Sequence, residues 1–302
     1  MPTATRHLSG PPNTLGLSLR AALPLVPGAS RLPFVAGGGR QVPDVKLELD
    51  GERLDHARLT AYERVCEFPQ QRAETLPVTA PHLLAFPLHM ALMTDGAFPF
   101  GAVGLVHLRN RIQAKRPIGV GEPLDIAVNA TPISAHPRGL TFTIVTTAAS
   151  RGEVVWEERS TMLHRDESRA SSHRNGAGSG GGQRATAREL TETARWQLAE
   201  DLGRRYAGVS GDRNPIHMHA LSARLFGFPR AIAHGMWTKA RCLAELEPSL
   251  PDAYSVEVTF RKPILLPGEV AFATAVADGR TEFEVRSVKD REKVHLEGTV
   301  SW

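Results

Sequence analysis

Cysteine is almost absent from this 302-residue chain: Cys66 and Cys242 are its only two. Two thiols supply neither a disulfide framework nor a metal cluster, and a reducing cytoplasm is the simplest setting for such a chain. Aromatic residues are also scarce, at 6%, and no basic run is interleaved with them, which argues against a nucleic-acid partner. No stretch approaches the roughly 20 apolar residues that a membrane span needs. The N-terminal leucines (Leu15, Leu17, Leu19, Leu23, Leu25) are interrupted by Arg20 and Pro24, so no signal peptide is expected.

What is present is enough apolar content, 41%, for a real core, and a formal net charge of +4. That charge fits either an arginine-rich soluble protein or attraction to an anionic ligand or partner. Residues 165–187 are rich in Gly and Ser, bury almost nothing and read as a flexible linker. The first 45 residues, with Gly37-Gly38-Gly39 near their end, are expected to be poorly ordered. The chain thus divides into a first domain at 46–164 and a second at 188–302.

The two halves look alike. In the second, a helix begins near His234 and carries Met236, Ala240 and Leu243 on one face. Tyr254, Val256, Val258 and Phe260 then alternate at period two. Further alternating segments follow at Val270–Val276, Phe283–Val285 and Val294–Val300, separated by Pro267-Gly268, Asp278-Gly279 and Asp290. In the first half, a helix near Leu88-His89-Met90 precedes strands around Val106–Ile112, Leu124–Val128, Leu140–Ile144 and Val154–Leu163. Arg116-Pro117-Ile118 echoes Lys262-Pro263-Ile264 at an offset of 146, and His89 echoes His234 at 145. A repeat of that size signals a duplicated α+β domain, each copy a helix wrapped by a curved antiparallel sheet, and a pseudo-dimer within one chain.

The run Tyr206-Ala-Gly-Val-Ser-Gly-Asp-Arg-Asn-Pro-Ile-His217 concentrates the chemistry. Asp212 and His217 stand five positions apart on a segment stiffened by Pro215, where an acid and an imidazole can face one small reactant, as proton transfer requires. Other readings stay open. Asp212–Pro215 is good turn chemistry in any protein. His217 and His219 form a His-x-His pair that could share a metal, although no third ligand cluster is apparent. His234 could cap or pack at its helix start, and Cys242 fits a core position. Gly208-Val-Ser-Gly-Asp212 is not the Gly-x-Ser-x-Gly elbow of a serine nucleophile.

Together with Ala220, Ala223, Phe226-Gly227-Phe228 and Ile232-Ala-His-Gly-Met236 downstream, this run resembles the MaoC-like dehydratases, which include the (R)-specific, type-2 enoyl-CoA hydratases. The close match covers about residues 188–302, and the two-part layout looks most like the actinobacterial (3R)-hydroxyacyl-thioester dehydratases. The resemblance implies a double hot-dog fold and reversible hydration of trans-2-enoyl thioesters to (R)-3-hydroxyacyl thioesters. It makes Asp212 and His217 a catalytic pair holding one water, and Gly235 the backbone N–H donor to the thioester oxygen. Asn214 and Ser210 would orient the pair or the substrate. It implies no metal or redox cofactor, and an acyl group carried on coenzyme A or acyl carrier protein, with a further homodimer possible. Arg204, Arg205, Arg224 and Arg230 could meet carrier phosphates, or simply face solvent. Rival functions are a hot-dog thioesterase and a non-catalytic acyl-thioester-binding subunit.

The first half departs from the motif. In Glu74–His82, Pro77 is read as the match of Pro215, no Asp or His stands at the dyad offsets, and His82 comes three residues late. One active site per chain is therefore expected, with the first domain a scaffold that accommodates a long acyl tail.

Overall fold

The protein is described here as a computed structural model covering residues 4–23, 36–37, 39–69, 74–166 and 189–302. One continuous, almost wholly antiparallel sheet dominates it. In the first half its strands are β2 (Val45–Glu52), β3 (Val106–Ala114), β4 (Leu124–Ala130), β6 (Gly139–Ser150) and β7 (Glu153–Arg165); in the second they are β8 (Thr191–Leu198), β9 (Tyr254–Phe260), β10 (Gly268–Ala277), β11 (Arg280–Ser287) and β12 (Val294–Ser301). The spatial order β2-β4-β6-β7-β3 runs directly into β9-β12-β11-β10-β8, the same order reversed. The duplication in the sequence is thus a pseudo-twofold in the sheet, and the seam is the antiparallel pair β3–β9, with Asn110 opposite Val258 and Ile112 opposite Val256.

Alternation decides which face of each strand is buried. Phe142, Ile144, Thr146 and Ala148 of β6 point inward while their neighbours are half-buried. The strands β2 and β8 escape the sequence reading: β2 does alternate from Val45 to Asp50 but adjoins the segment expected to be poorly ordered, and in β8 only Trp196 and Leu198 are buried. A short strand, β5 (Ser134–His136), pairs with β6.

Each half wraps a nearly all-buried helix: α3 (Pro81–Met93) in the first, α7 (Gly235–Leu246) in the second. An apolar or well-paired surface all round is what a central helix needs. Before each comes an amphipathic helix, α2 (His56–Cys66) or α4 (Leu202–Ser210). The second half alone then inserts α5 (Pro215–Met218) and α6 (Ala220–Arg224).

Three expectations are corrected. The first-half helix starts at Pro81, not near Leu88, so His89 sits in its later turns and does not match His234. Equivalent hydrogen bonds, Leu76 N–H to Ile118 O and Ala233 N–H to Ile264 O, align Pro77 with His234 rather than with Pro215. The offset shifts because residues 67–80 join α2 to α3, whereas the longer stretch 211–234 joins α4 to α7. Finally, the segment 1–45 is not without order. β1 (Ala4–His7) pairs in parallel with β2, and α1 (Thr14–Ala22) is capped by the Asn13 side chain. Parallel pairing of β1 covers an otherwise open sheet edge. Residues 24–35, and the linker beyond Asp166, lie outside the described residues.

Three histidines are kept neutral by the fold. Burial pushes the rings of His89 and His234 down to about 3 and that of His107 to about 4. Unfolded, these rings bind protons near pH 6.5; folded, they do so only near pH 3 to 4. Stability should be complete above about pH 6.5 and fall steadily as the pH drops toward 4. Urea unfolding at pH 7.5 and pH 5 checks this, and equal midpoints would contradict it.

Candidate active site

The site is built where α4 ends. Gly211 closes that helix in the left-handed region, at φ +81°, and turns the chain toward Asp212. The Ser210 hydroxyl donates to Tyr206 O (2.9 Å) and accepts the Asp212 N–H (3.1 Å). Asp212 Oδ1 accepts the Asn214 N–H (3.1 Å), and the Asn214 side chain caps α5 through the Ile216 N–H (3.4 Å). Ser210 and Asn214 therefore act on the turn itself, and fix where Asp212 and His217 stand.

His217 projects from α5, 8% exposed. Its Nδ1 donates to Ile232 O at 2.8 Å, which leaves Nε2 as the ring's lone pair. Burial lowers its pKa, partly offset by Asp212 and by the Ile232 carbonyl. Burial alone would raise the Asp212 pKa; His234, His217 and the Asn214 N–H outweigh it and hold the carboxyl below its usual range. Near neutrality the pair is a carboxylate beside a neutral imidazole.

His234 is more than a helix-start residue. It makes no side-chain cap. Its ring stacks on that of His217, centroids 3.7 Å apart and 25° between planes, and its Nε2 donates to Asp212 O at 3.0 Å. Sequence spacing gives no sign of this, because a short helix, α6, and the loop after it separate His217 from His234. Gly235 opens α7, where first-turn N–H groups lack partners inside the helix. A Cβ there would come within 2.9 Å of the Phe260 ring, so a side chain is excluded. His219 is exposed and turned toward Arg204, so the His-x-His pair does not form. Among the described residues, two groups have ligand atoms close enough to share a metal: Asp212, His217 and His234, and, in the first half, His82, His89 and Glu158. Cys242 is fully buried, as a core residue.

Asp212, His217, His234 and Gly235 line one end of a cavity of about 430 Å³. The cavity continues into the first half along one face of α3, with Phe86, His89, Met90 and Met93, and Ser18 and Ala21 of α1 also reach it. Arg204, Arg205, Arg224 and Arg230 do not line it; Arg213, Arg261 and Lys262 do. Arg205 instead pairs with Asp201, and Arg224 donates to Pro229 O.

Gly203, which no motif singles out, also shapes the site. A Cβ on it would lie 2.0 Å from the His217 carbonyl oxygen, so α4 and α5 touch backbone to backbone. Gly203→Ala is expected to push α5 aside and loosen the His217–Ile232 bond that sets the ring tautomer. Nitrogen NMR shifts of the His217 ring should then move toward values averaged over both tautomers; unchanged shifts would dismiss this contact.

Comparison with known proteins bears on the family and the fold. Residues 182–298 match the MaoC like domain. The chain is 34% identical to the 3-hydroxyacyl-thioester dehydratase X of Mycobacterium tuberculosis over 292 residues, 96% of this chain and 98% of that one. The crystal structure of HtdX from the same organism superposes with a TM-score of 0.73 at 33% identity, covering 84% of this chain and 98% of that one. A conserved hypothetical M. tuberculosis protein described as a double hotdog fold superposes at a TM-score of 0.54 and 15% identity, covering 84% and 94% of the two chains, a likeness of fold alone. With the motif, the mirrored half-sheets and a full-length relative in accord, the chain belongs to the MaoC-like dehydratases and folds as a double hot-dog.

Proposed function

We propose that this protein is a hydro-lyase that interconverts trans-2-enoyl thioesters and (R)-3-hydroxyacyl thioesters. The observation that carries the reading is the shared cavity: carboxylate, neutral imidazole and the N-terminus of α7 all face one enclosed space. In hydration, a water held between Asp212 and His217 loses a proton to one of them as its oxygen bonds C3. The C2–C3 double bond shifts toward the carbonyl, and the negative charge grows on the thioester oxygen. The Gly235 N–H, at the positive end of the α7 dipole, stabilises that charge. The other group of the pair, or the same water cluster, delivers a proton to C2. Nothing is oxidised or reduced, and the reading calls for no metal or redox cofactor.

The carrier is coenzyme A or acyl carrier protein, whose phosphates would meet Arg213 and Lys262 at the cavity rather than the arginines singled out by sequence. The apolar face of α3 would take the acyl tail, leaving one active site per chain. No helix among the described residues is long and apolar enough to cross a membrane, and a cytoplasmic home is part of the proposal.

The test follows loss of enoyl absorbance with crotonyl-CoA and a longer trans-2-enoyl-CoA, with the product's configuration assigned. Asp212→Asn and His217→Ala should each cost at least about 10²-fold in kcat, the usual worth of a positioned acid or base. Free thiol release without hydration would instead mark a thioesterase, and binding without turnover on either carrier a binding subunit. His82→Ala should cost less than His217→Ala; an equal loss would refute the single site.

The rate should also fall on the acid side as His217 takes up a proton. Because burial lowers its pKa, that limb of kcat/KM is expected below pH 6.5. A limb centred above pH 7 would exclude His217 as its source.

A further inference from the structure

Hydration uses one end of the cavity and an apolar tail would use the α3 face, but the wall between them is not apolar. His82 from α3, His107 from β3 and Ser160 from β7 all line the cavity, and none has a part in the proposed chemistry. The β3–β7 register gathers them: Asn110 pairs with Ser160 and His107 with Met162. Behind the wall the polar groups are satisfied. His82 Nδ1 donates to Glu158 Oε2 at 2.9 Å, and Asn110 Nδ2 donates to Glu158 Oε1 (2.7 Å) and Ser160 Oγ (2.9 Å). At the wall, His107 is different. Its ring lies against Phe260, 4.8 Å between centroids, and its Nε2 is closed off from solvent with no hydrogen-bond partner.

A plain hydrocarbon pressed against this wall would keep that nitrogen desolvated and cover His82 and Ser160 as well, which is unfavourable. An oxygen on the acyl chain, met by a small turn of the ring toward the cavity, would supply the missing partner. We propose that the acyl group this site selects bears a neutral oxygen function, a hydroxyl, on the segment beyond C3, recognised by His107 with His82 and Ser160. The proposal rests on the enoyl-thioester reading above and names the substrate class within it. Position supports it: Phe260, against which the His107 ring lies tilted, also packs against Gly235, and His82 is near enough to Asp212 to help lower its pKa. The polar wall therefore begins just past the reacting carbons. Charge supports it too: burial keeps His107 neutral near pH 7, with one ring nitrogen a donor and the other an acceptor. A hydroxyl can answer either, whereas a carboxylate could only accept.

The experiment uses the full chain and a matched set of ten-carbon trans-2-enoyl thioesters, on coenzyme A and on acyl carrier protein. One is plain, the others carry a single hydroxyl at successive positions from C4 to C8, and one ends in a carboxylate. Wild type should favour one hydroxyl isomer over the plain chain by at least about tenfold in kcat/KM, the worth of one well-made hydrogen bond to an otherwise unpaired group. His107→Phe, which keeps the ring on Phe260, and Ser160→Ala should each bring that ratio down toward one. Equal rates for every isomer in the wild type would overturn the proposal, as would a ratio that neither variant moves. A preference for the carboxylate over every hydroxyl isomer would overturn the neutral assignment. Crotonyl thioesters, too short to reach the polar wall, separate the two levels. If they turn over while the isomers do not differ, only this inference fails; if no thioester turns over, the hydratase reading fails with it.

Discussion

The pairing of β3 with β9 is the constraint on which everything else in this structure depends. Among the described residues it is the one strand pairing that links the two half-sheets, and it makes one continuous sheet out of two duplicated units. Helix contacts brace it from both sides. The Trp237 indole of α7 donates to Val65 O at the end of α2 (2.8 Å), and the Arg58 guanidinium of α2 donates to Val209 O in α4 (2.8 Å). Because the halves are locked, a turn belonging to the second can share a cavity with a helix belonging to the first.

Burying charge at that seam has a cost that the fold offsets locally. Burial alone would raise the pKa of Glu158, which is wholly inaccessible, yet His82 and Asn110 hold it ionised, down to about 2. Lys239, equally inaccessible, donates to Asn110 Oδ1 at 2.5 Å, and burial pushes its ammonium down to about 7. Removing one member of such a set is far worse than never having built it, because the survivor stays buried without its partner. The network reaches from α7 of one half to α3 of the other, so the seam is specified by polar contacts as well as by the ladder.

Duplication also explains why the halves can diverge. A half-sheet and a central helix are required in each half, and both halves retain them. The turn between amphipathic and central helix is required only where chemistry is done. There the second half carries α5 and α6, and the first half makes do with residues 67–80. The first half's share of the cavity is freed from holding a dyad and carries methionines, phenylalanine and a polar wall instead.

Much of this was legible in the chain. Period-two alternation marks β9 through β12, the Arg-Pro-Ile and Lys-Pro-Ile echo marks the duplication, and Ser210–His217 marks the site, because those signals are local: each is carried by neighbours along one strand or one turn. The outer strand β8 was not legible, since only Trp196 and Leu198 of its residues are buried, too short a run to show a period; β2 does alternate, but it adjoins the N-terminal segment and escapes notice there. Nor was the start of α3, whose uniform burial erases the amphipathic period that locates a helix. Sequence alone thus determined the duplicated α+β plan and the acid–imidazole turn. Only the tertiary structure decided that His234 stacks on His217, that Gly203 must be bare, that α1 borders the cavity, and that His82, His107 and Ser160 share a wall with the dyad. Those facts depend on contacts between residues far apart in the chain, which no periodicity or motif spacing encodes.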